Sequence, residues 1–449
     1  MKLNISMAVV GCLAFVSVAC LTFIPLASSG QTAISDPLTS DSLTLEEAVH
    51  LTLSNHPAVV QAQQGIAAAE ARIGTSRSSY YPDISIGGTY VRIGPVPTFD
   101  IPHQPSIKLA PDDNYDVHLG LRETLYDFGK TATSVKLAES GRQTAGDYVE
   151  QVRSNLAYKT ISVFNSILIL RQSVAVLDEQ IQALNQHLEI SRKKVEAGTA
   201  TDFDVLTTQV RIAATKNERI DAANTLETQE ILFRQLTGLP ATQPVRLKGD
   251  FTRPNLSLDS DSLLQTAFQQ RPEIVVSRDA ENSAALRFNL SALGNKPSLA
   301  LNMTSGFKNG YVPDLNALKV NFSAGVQLQF PLFDGHRTKH QKYEAEASLR
   351  SAKAYTEDLK QQIATDVQQA IASAGASLEK IENAEIQVKQ AEEAVSIAKT
   401  KYEAGVVTNL DLLDTQTTLT QAKLNHLRAL YNFAVSLIAV DRATGKRMW

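Results

Sequence analysis

The sequence repeats itself at a spacing of 207 residues. Around Gly198 the chain reads KVEAG and then, three residues on, TDFDVL; around Gly405 it reads KYEAG and then TNLDLL (405 − 198 = 207). The same spacing relates LYD at residues 125–127 to LFD at residues 332–334, and more than a hundred residues align without a gap. Self-similarity of this kind indicates two copies of one structural unit, arranged with pseudo-symmetry.

Residues 1–30 have the features of a secretory signal peptide. Lys2 supplies a positive charge, an almost wholly apolar segment follows, and residues 27–30 are the small residues that signal peptidase prefers. We therefore predict cleavage near residue 30. A retained membrane anchor and lipid attachment at Cys12 or Cys20, the chain's two cysteines, stay open as alternatives. Removal of this segment would leave no cysteine, which suits an oxidising compartment.

The charge balance and the motif content argue against nucleic-acid binding and against catalysis. The chain has 43 Lys and Arg against 47 Asp and Glu, a net charge of −4, so it lacks the basic excess of nucleic-acid-binding proteins. We find no zinc-protease pair, phosphate loop or nucleophile elbow, and we predict no enzyme and no cofactor. His336 and His340 are four residues apart but have no carboxylate or cysteine cluster nearby, so a solvated helix face is predicted instead of a metal site.

The distribution of proline organises the chain. No proline occurs from residue 112 to 238 or from 332 to 449, which permits very long helices because proline breaks helix interiors. The predicted parts are a first repeat over residues 31–238, a linker over 239–257 and a second repeat over 258–449. Each repeat is predicted to begin with a shorter helical stretch, roughly 43–79 in the first and 258–294 in the second.

A strand pattern follows each short helical stretch. From Val320 to Phe330 every second residue is apolar or small and the residues between are mostly polar, which predicts a strand with one apolar and one polar face. Weaker alternation occurs at residues 84–90, 117–121 and 299–303. The result is two hairpins, at about 82–126 and 297–332. Strands of this length are typical of an outer-membrane barrel; a soluble sheet with one wet face is the alternative.

A long helix, a tight turn and a return helix complete each repeat. The long helices are predicted to run from Gly129 and Gly335 to Gly198 and Gly405, roughly 68 residues or about 100 Å each. In the second copy the predicted apolar seam is Leu359, Ile363, Val367, Ala370, Ala374, Leu378, Ile381, Ala384, Val388, Ala391, Val395, Ala398 and Tyr402, continuing from Leu410 and Leu413 in the return helix. This 11-residue repeat followed by heptads predicts helices that run nearly straight close to the strands, and that coil pairwise and lean inward toward the glycine turns.

Four strands are too few for one chain to span a membrane alone. They cannot close a barrel, and open strand edges are not tolerated in lipid. If the hairpins enter a membrane, several chains must combine their strands. Two chains with eight strands and three chains with twelve both satisfy this requirement.

These features together resemble the TolC-like outer membrane efflux protein family over the whole mature chain. The resemblance rests on the duplication, Tyr81-Pro82, Leu125-Tyr126-Asp127, Pro331-Leu332-Phe333-Asp334-Gly335 and the two Glu-Ala-Gly turns. It implies a mainly α fold with a small β membrane part. A trimer, with four strands per chain, would form a barrel in the outer membrane, in contact with its lipid and continuous with a long periplasmic helical barrel. The helical tips would dock with a periplasmic adaptor (membrane fusion) protein and an inner-membrane pump.

Two aspartates beyond the second glycine turn are candidates for a gate. Asp411 and Asp414 lie three residues apart on one face of the return helix. In a closed ring of chains their like charges would repel, raise one another's pKa and attract cations. The resemblance supports a periplasmic gate here and adds Tyr402 to it. The alternative is a pair of exposed aspartates that favour the helix dipole. Val407 stands where some family members carry an arginine that tethers neighbouring helices, so that tether is missing.

The two tip turns are alike in shape and unlike in charge. They are predicted at about 197–202 and 404–409. Asp411 has an acidic counterpart in the first copy, Asp204, whereas Asp414 corresponds to Thr207. We infer that the second copy narrows the pore and that both turns serve adaptor docking. The predicted docking residues are Gly198, Thr201, Gly405 and Thr408, where the glycines let the chain reverse by adopting positive φ.

The sequence therefore predicts an exit duct in the outer membrane, extending into the periplasm, that belongs to a tripartite efflux or type I secretion system. Two other classes stay open. One is a secreted coiled-coil fibre or surface adhesin without a channel, although a fibre would not need two amphipathic hairpins at matched places. The other is a soluble periplasmic helical binding protein.

Overall fold

The computed structural model describes residues 42–100, 102, 106–249 and 259–447. The predicted signal peptide with Cys12 and Cys20, and residues 250–257 of the predicted linker, lie outside the described residues. The helices are α1 (Leu45–Asn55), α2 (Pro57–Ser78), α3 (Lys130–Glu196), α4 (Asp202–Thr237), α5 (Ser260–Gln270), α6 (Pro272–Ala292), α7 (Arg337–Glu403) and α8 (Asn409–Thr444). The strands are β1 (Asp83–Arg92), β2 (Thr98–Phe99), β3 (Ile107–Lys108), β4 (Asp113–Tyr126), β5 (Ser298–Lys308) and β6 (Lys319–Gln329).

The opening helical segment of each repeat is broken in two by a proline. α1 ends before Pro57 and α5 ends before Pro272, and the residue in front of each proline is extended, with ψ of 126° and 125°. A proline has no N–H to continue the helix, and it pushes the residue before it out of the helical region. The single helical stretch predicted for each repeat is wrong in this respect. The break itself is duplicated, at the same spacing of 215 residues that separates Pro82 from Pro297 (272 − 57 = 215).

The two long helices have the same length and the same ends. Each contains 67 residues. An aspartate side chain stabilises the first turn of each long helix. Asp127 accepts a hydrogen bond from the N–H of Thr131 at 2.7 Å, and Asp334 accepts one from the N–H of Thr338 at 2.9 Å. Acceptors at this position satisfy N–H groups that have no partner inside the helix.

Shorter helices pack on both sides of α3, with α2 and α6 near the strands and α4 and α8 toward the tips. The contacts that mark this order are Arg142–Glu70 with α2 at 2.9 Å, Ser140–Ser283 with α6 at 2.9 Å, Asp178–Arg219 with α4 at 2.8 Å and Glu179–Lys423 with α8 at 3.1 Å. Near the strands the order is α2–α3–α6–α7, and toward the tips it is α4–α3–α8–α7. Gly445, just after α8, lies so close to the break between α5 and α6 that a Cβ there would lie 2.6 Å from the backbone N of Arg271.

The predicted apolar seam lies inside this bundle, with one exception. In α7 every predicted seam residue from Leu359 to Tyr402 is buried or half-buried. In α8 Leu413 is buried, but Leu410 is exposed and the prediction for it is wrong. The first turn of α8 instead buries Asn409 and Leu412. A hydrogen bond between Asn409 and His187 of α3 fixes which face of α8 turns inward at its start.

The four longer strands form one antiparallel sheet in the order β1–β4–β5–β6. The central pair, β4 and β5, joins the two hairpins, so both repeats contribute to one surface. The apolar residues of β6 are exposed, as are Ile84 and Ile86 on β1. Within the described residues no strand covers the outer edge of β1 or of β6. The short ribbon β2–β3, in the loop between β1 and β4, was not predicted.

Two phenylalanines on α4 test where the core lies. Phe233 is 0% exposed and its ring centroid lies 6.4 Å from that of Phe164, whereas Phe203 is 70% exposed. We expect Phe233→Ala to lower the free energy of unfolding by about 3–5 kcal/mol because it leaves a cavity. Phe203→Ala should cost less than about 0.5 kcal/mol. Denaturant unfolding in detergent, followed by circular dichroism, measures both, and equal losses would contradict this placement of the core.

Candidate gate at the helical tips

The two tip turns have the same backbone. Gly198 has φ of +74° and Gly405 has φ of +73°, in the left-handed region where glycine is unstrained. The N–H and hydroxyl of Thr201 both donate to the Asp204 carboxylate at 2.9 Å. The N–H and hydroxyl of Thr408 donate to the Asp411 carboxylate at 2.8 and 2.6 Å. Each threonine is therefore the N-cap of its return helix. The four predicted docking residues are thus two equivalent pairs that shape the turns.

Asp411 acts as a cap in the single chain. Its carboxylate accepts both hydrogen bonds from Thr408, and its own N–H donates to the Thr408 hydroxyl at 3.2 Å. The hydrogen bonds from the Thr408 side chain and backbone lower the pKa of Asp411. The single chain therefore favours the ionised carboxylate; the mutual increase in pKa expected for a ring of aspartates stays a prediction.

Asp414 is held by an arginine from the other repeat. Arg211 on α4 donates through Nη2 to Oδ1 of Asp414 on α8 at 2.9 Å. The positions that correspond to this pair by duplication are Thr418 and Thr207. The ion pair therefore occurs once per chain, and it joins the two repeats.

Tyr402 is enclosed between helices of the two repeats. Its side chain is 7% exposed and packs with Ala398 and Leu412. The Lys194 ammonium lies 3.9 Å from the Tyr402 ring centroid and donates to the Tyr402 carbonyl oxygen at 3.0 Å. A cation over an aromatic face is attracted by the ring quadrupole, so α3 is held to the end of α7 at this point.

A buried histidine joins the same elements. His187 on α3 is 4% exposed, and its Nε2 lies 2.5 Å from Oδ1 of Asn409 at the start of α8. The Asn409 amide in turn donates to the Asp204 carbonyl oxygen at 3.2 Å and to the Thr207 hydroxyl at 3.3 Å. Three helix segments, from α3, α4 and α8, therefore meet in one polar network.

Burial lowers the pKa of His187, and the hydrogen bond with Asn409 acts in the opposite direction. Two charged groups face the imidazole: Lys194 lowers its pKa further, and Asp204 raises it. The Tyr402 ring lies 5.1 Å away, between centroids. The buried site thus favours the neutral imidazole.

Val407 is half-buried against the cluster formed by Ala398, Tyr402 and Leu412. The two repeats are connected without a cation at Val407. Lys194 and Arg211 of the first repeat bind the Tyr402 carbonyl oxygen and the Asp414 carboxylate of the second. Sequence reasoning missed both cations together with His187 and Asn409. The sequence did carry a signal, because Arg211, His187 and Asn409 each differ in residue type from the position 207 residues away in the other repeat. Lys194 gave no such signal, since its counterpart is also a lysine.

The outer surface of the tips is apolar as well as polar. Gly198, Thr201, Gly405 and Thr408 are exposed, which suits their predicted docking role. Phe203, Val406 and Leu410 are exposed around them and were not predicted as docking residues. Large exposed apolar side chains of this kind would suit contact with another protein.

His336 and His340, predicted to lie on a solvated helix face, are exposed, and each lies beside an aromatic ring. His336 begins α7 and its ring packs on Phe333 with centroids 5.5 Å apart, while His340 lies near Tyr343 at 6.4 Å. Across residues 42–100, 102, 106–249 and 259–447, no group of three His, Cys, Asp or Glu side chains has the arrangement to hold a metal ion.

Comparison with known proteins assigns both repeats to one family. The sequence model described as "Outer membrane efflux protein" matches residues 48–239 and 263–446. The chain belongs to the outer membrane efflux protein family.

Individual relatives of this efflux protein agree with that assignment. Outer membrane protein TolC of Vibrio cholerae serotype O1 is 23% identical over 409 residues, covering 89% of this chain and 90% of that protein. The cobalt-zinc-cadmium resistance protein CzcC of Cupriavidus metallidurans is 24% identical over 71% of this chain and 74% of that protein. The solved structure of outer membrane protein VceC from Vibrio cholerae has the same fold, with a TM-score of 0.75 at 19% identity over 89% of this chain and 96% of that one.

Family membership confirms the predicted fold class, function and location of the efflux protein. The fold is mainly α with a small β part and an internal duplication. The chain is an outer-membrane exit duct for efflux or secretion, extending into the periplasm. Its relatives are channel proteins. The fibre and the soluble binding protein are thereby set aside.

Acid is expected to loosen the tip through His187. Burial lowers the pKa of His187, so an imidazole released to solvent binds a proton more readily than the buried one. The packed arrangement around His187 is therefore fully favoured above the ordinary histidine pKa of about 6.5 and loses stability as the pH falls below it. We expect severalfold faster amide exchange at the start of α8 at about pH 5.5 than at about pH 7.5, after correction for intrinsic exchange.

Two variants separate this effect from general acid sensitivity. His187→Gln keeps an N–H donor for Asn409 and should lose the pH dependence. His50→Gln, at an exposed position on α1, should retain it. The same pH dependence in His187→Gln as in the parent chain would exclude His187 as the responsible group.

Proposed function

We propose that three copies of this efflux protein form one duct, gated at the tips and docked there to a periplasmic adaptor and an inner-membrane pump. The observation that carries the proposal is the four-stranded sheet, which has an exposed apolar face and, among the residues that the structure describes, no strand beyond either edge. Open edges are not tolerated in lipid, so strands from other copies must pair with β1 and β6. Three chains with four strands each give the twelve-stranded barrel that the family resemblance implies.

Aromatic residues support contact with outer-membrane lipid. Six aromatic side chains are exposed where the strands meet the helices: Tyr80, Tyr81, Tyr126, Phe128, Phe330 and Phe333. Aromatic rings of this kind form girdles at the membrane–water interfaces of outer-membrane barrels. The proposal places the membrane boundary at this level of the chain.

The proposed gate comprises Asp411, Asp414 and Tyr402. In a trimer each residue repeats around the axis, and the two aspartates remain exposed in the single chain. Tyr402 lies in the seam behind them, so its proposed part is to hold the second tip in place. The first tip differs because Thr207 replaces Asp414 there.

The proposed docking surface includes Gly198, Thr201, Gly405 and Thr408. These residues are exposed on two turns of equal shape, so an adaptor would meet two similar sites per chain and six per trimer. The exposed apolar residues Phe203, Val406 and Leu410 give that surface an apolar component.

Extraction and oligomer size test the duct. The expressed protein should require detergent to leave the outer-membrane fraction, and native mass spectrometry should give the mass of three chains. Unheated samples should run as an oligomer on mild denaturing gels and heated samples as a monomer, because strand pairing between chains is lost on heating. A freely soluble monomer would exclude the proposal.

Cation blockade tests the gate. Trivalent hexaamminecobalt should block single channels in planar bilayers, and Asp411→Asn/Asp414→Asn should abolish the block because the ring of charge is removed. An asparagine at residue 411 can still accept the hydrogen bonds of Thr408, so the helix cap is retained. Asp204→Asn is the matched control in the first tip and should leave blockade unchanged. Persistent blockade in the double variant would show that the gate lies elsewhere.

A further inference from the structure

The contact between α3 and α6 joins the two repeats near the strands, and it is polar. Oγ of Ser140 on α3 lies 2.9 Å from Oγ of Ser283 on α6, and the Asn282 amide donates to the Ser140 hydroxyl at 3.3 Å. About two turns further along α3, the carboxyl of Asp147 lies against the carboxyl of Asp279 on α6. Two acids from different repeats therefore face each other within this contact.

The two carboxyls lack a donor between them. Among the residues that the structure describes, the buried Oδ2 of Asp279 has no hydrogen-bond partner. Oδ2 of Asp147 accepts a hydrogen bond from the Gln143 amide at 3.0 Å, so Asp147 has its own donor and offers none. Buried polar atoms in native proteins are nearly always hydrogen-bonded. A proton on one carboxyl supplies the missing donor, because a protonated carboxyl donates to a carboxylate.

We propose that Asp147 and Asp279 share one proton and thereby form an acid-stabilised link between the two repeats. This carboxyl link tightens the contact between α3 and α6 when the pair holds a proton. The contact loosens when both carboxyls are ionised, because like charges at short range repel. Both residues belong to one chain, so the carboxyl link does not depend on how many copies assemble.

A cavity gives the pair access to solvent protons. Asp147, Glu150 and Arg447 line a space of about 130 Å³ between α3, the start of α6 and the end of α8, which is large enough for water. The cations at this site are engaged elsewhere. Arg153 donates to Glu150 at 3.0 Å, and Arg447 lies 3.4 Å from the same carboxylate. Asp147 is therefore the charged group that acts on Asp279.

The charged groups of α7 that reach α6 lie away from the carboxyl link. Asp366 binds Arg271, the residue in front of α6, at 2.8 Å. Lys342 lies 5.5 Å from the ring centroid of Phe288, toward the other end of α6. Asp279 lies between these two points, on the part of α6 that faces α3.

The environment of Asp279 favours the protonated pair at mildly acidic pH. Burial and the hydrogen bond with Asp147 raise the pKa of Asp279 to about 6, and the charge of Asp147 acts in the same direction. The neighbouring Arg278 is directed to α5, where it donates to the Phe268 carbonyl oxygen at 3.3 Å. Because the pKa of Asp279 is higher in the folded chain, the link is fully present below the ordinary aspartate pKa of 3.8. It is lost as the pH rises through about 6.

The carboxyl link and His187 respond to acid in opposite directions. Burial lowers the pKa of His187, so acid weakens the packing near the tips, whereas acid strengthens the link near the strands. Both groups contact or belong to α3. A fall in pH from about 7.5 to about 5.5 therefore loosens the contacts at one end of this helix and tightens those at the other.

Amide exchange of the purified protein in detergent tests the link. After correction for intrinsic exchange, α6 around Asp279 should be about fourfold better protected at about pH 5.5 than at about pH 7.5. The reason is that a group with a pKa of about 6 is about three-quarters protonated at the lower pH and almost fully ionised at the higher. Asp279→Asn supplies a permanent donor and should give high protection at both pH values.

Two control variants separate the link from other acid effects. Asp261→Asn removes an exposed acid on α5 and should keep the pH dependence of α6. His187→Gln should also keep it, although it removes the opposite response at the start of α8.

Infrared spectroscopy detects the shared proton directly. The C=O stretch of a protonated carboxyl is separate from the bands of a carboxylate. The parent chain and Asp261→Asn should show such a band that disappears as the pH is raised through about 6. Asp279→Asn should lack it.

The inference fails on any of three results. One is protection of α6 that does not change between about pH 5.5 and about pH 7.5 in the parent chain. Another is an unaltered pH dependence in Asp279→Asn. The last is a parent infrared spectrum in which no carboxyl titrates near pH 6. This last measurement needs no variant, so it decides the question even where Asp279→Asn does not fold.

Discussion

The unpaired backbone of β1 and β6 is the constraint on which the rest of the structure depends. A sheet with an exposed apolar face belongs in lipid, and in lipid each strand-edge N–H and C=O needs a partner. The single chain offers no strand for either edge within its described residues. Closure therefore requires other copies, and in the proposed assembly the long helices that continue from β4 and β6 stand side by side.

Features that depend on local spacing could be predicted from the sequence. Helix lengths follow from the absence of proline, the turns from the duplicated glycines at 198 and 405, and the strands from alternation. The break before Pro57 also had a local signal, because Pro272 repeats it at the spacing of Pro82 and Pro297. Leu410 was wrongly predicted to lie in the apolar seam, because heptad spacing cannot predict the hydrogen bond with His187 that turns Asn409 inward. Lys194, Arg211 and His187 act across repeats, and no local pattern shows which helix faces which.

The candidate gate shows how one residue takes on two roles. Asp411 and Asp204 have the same capping geometry, so the shape of the turn explains both of them fully. The proposed gate needs something more, and the candidates are the residues that differ between the repeats. Asp414 has no acidic counterpart, and its ion pair with Arg211 fixes the second tip against the first. The charge at Asp414 and the ion pair that positions it thus depend on two positions, 414 and 211, that differ between the repeats.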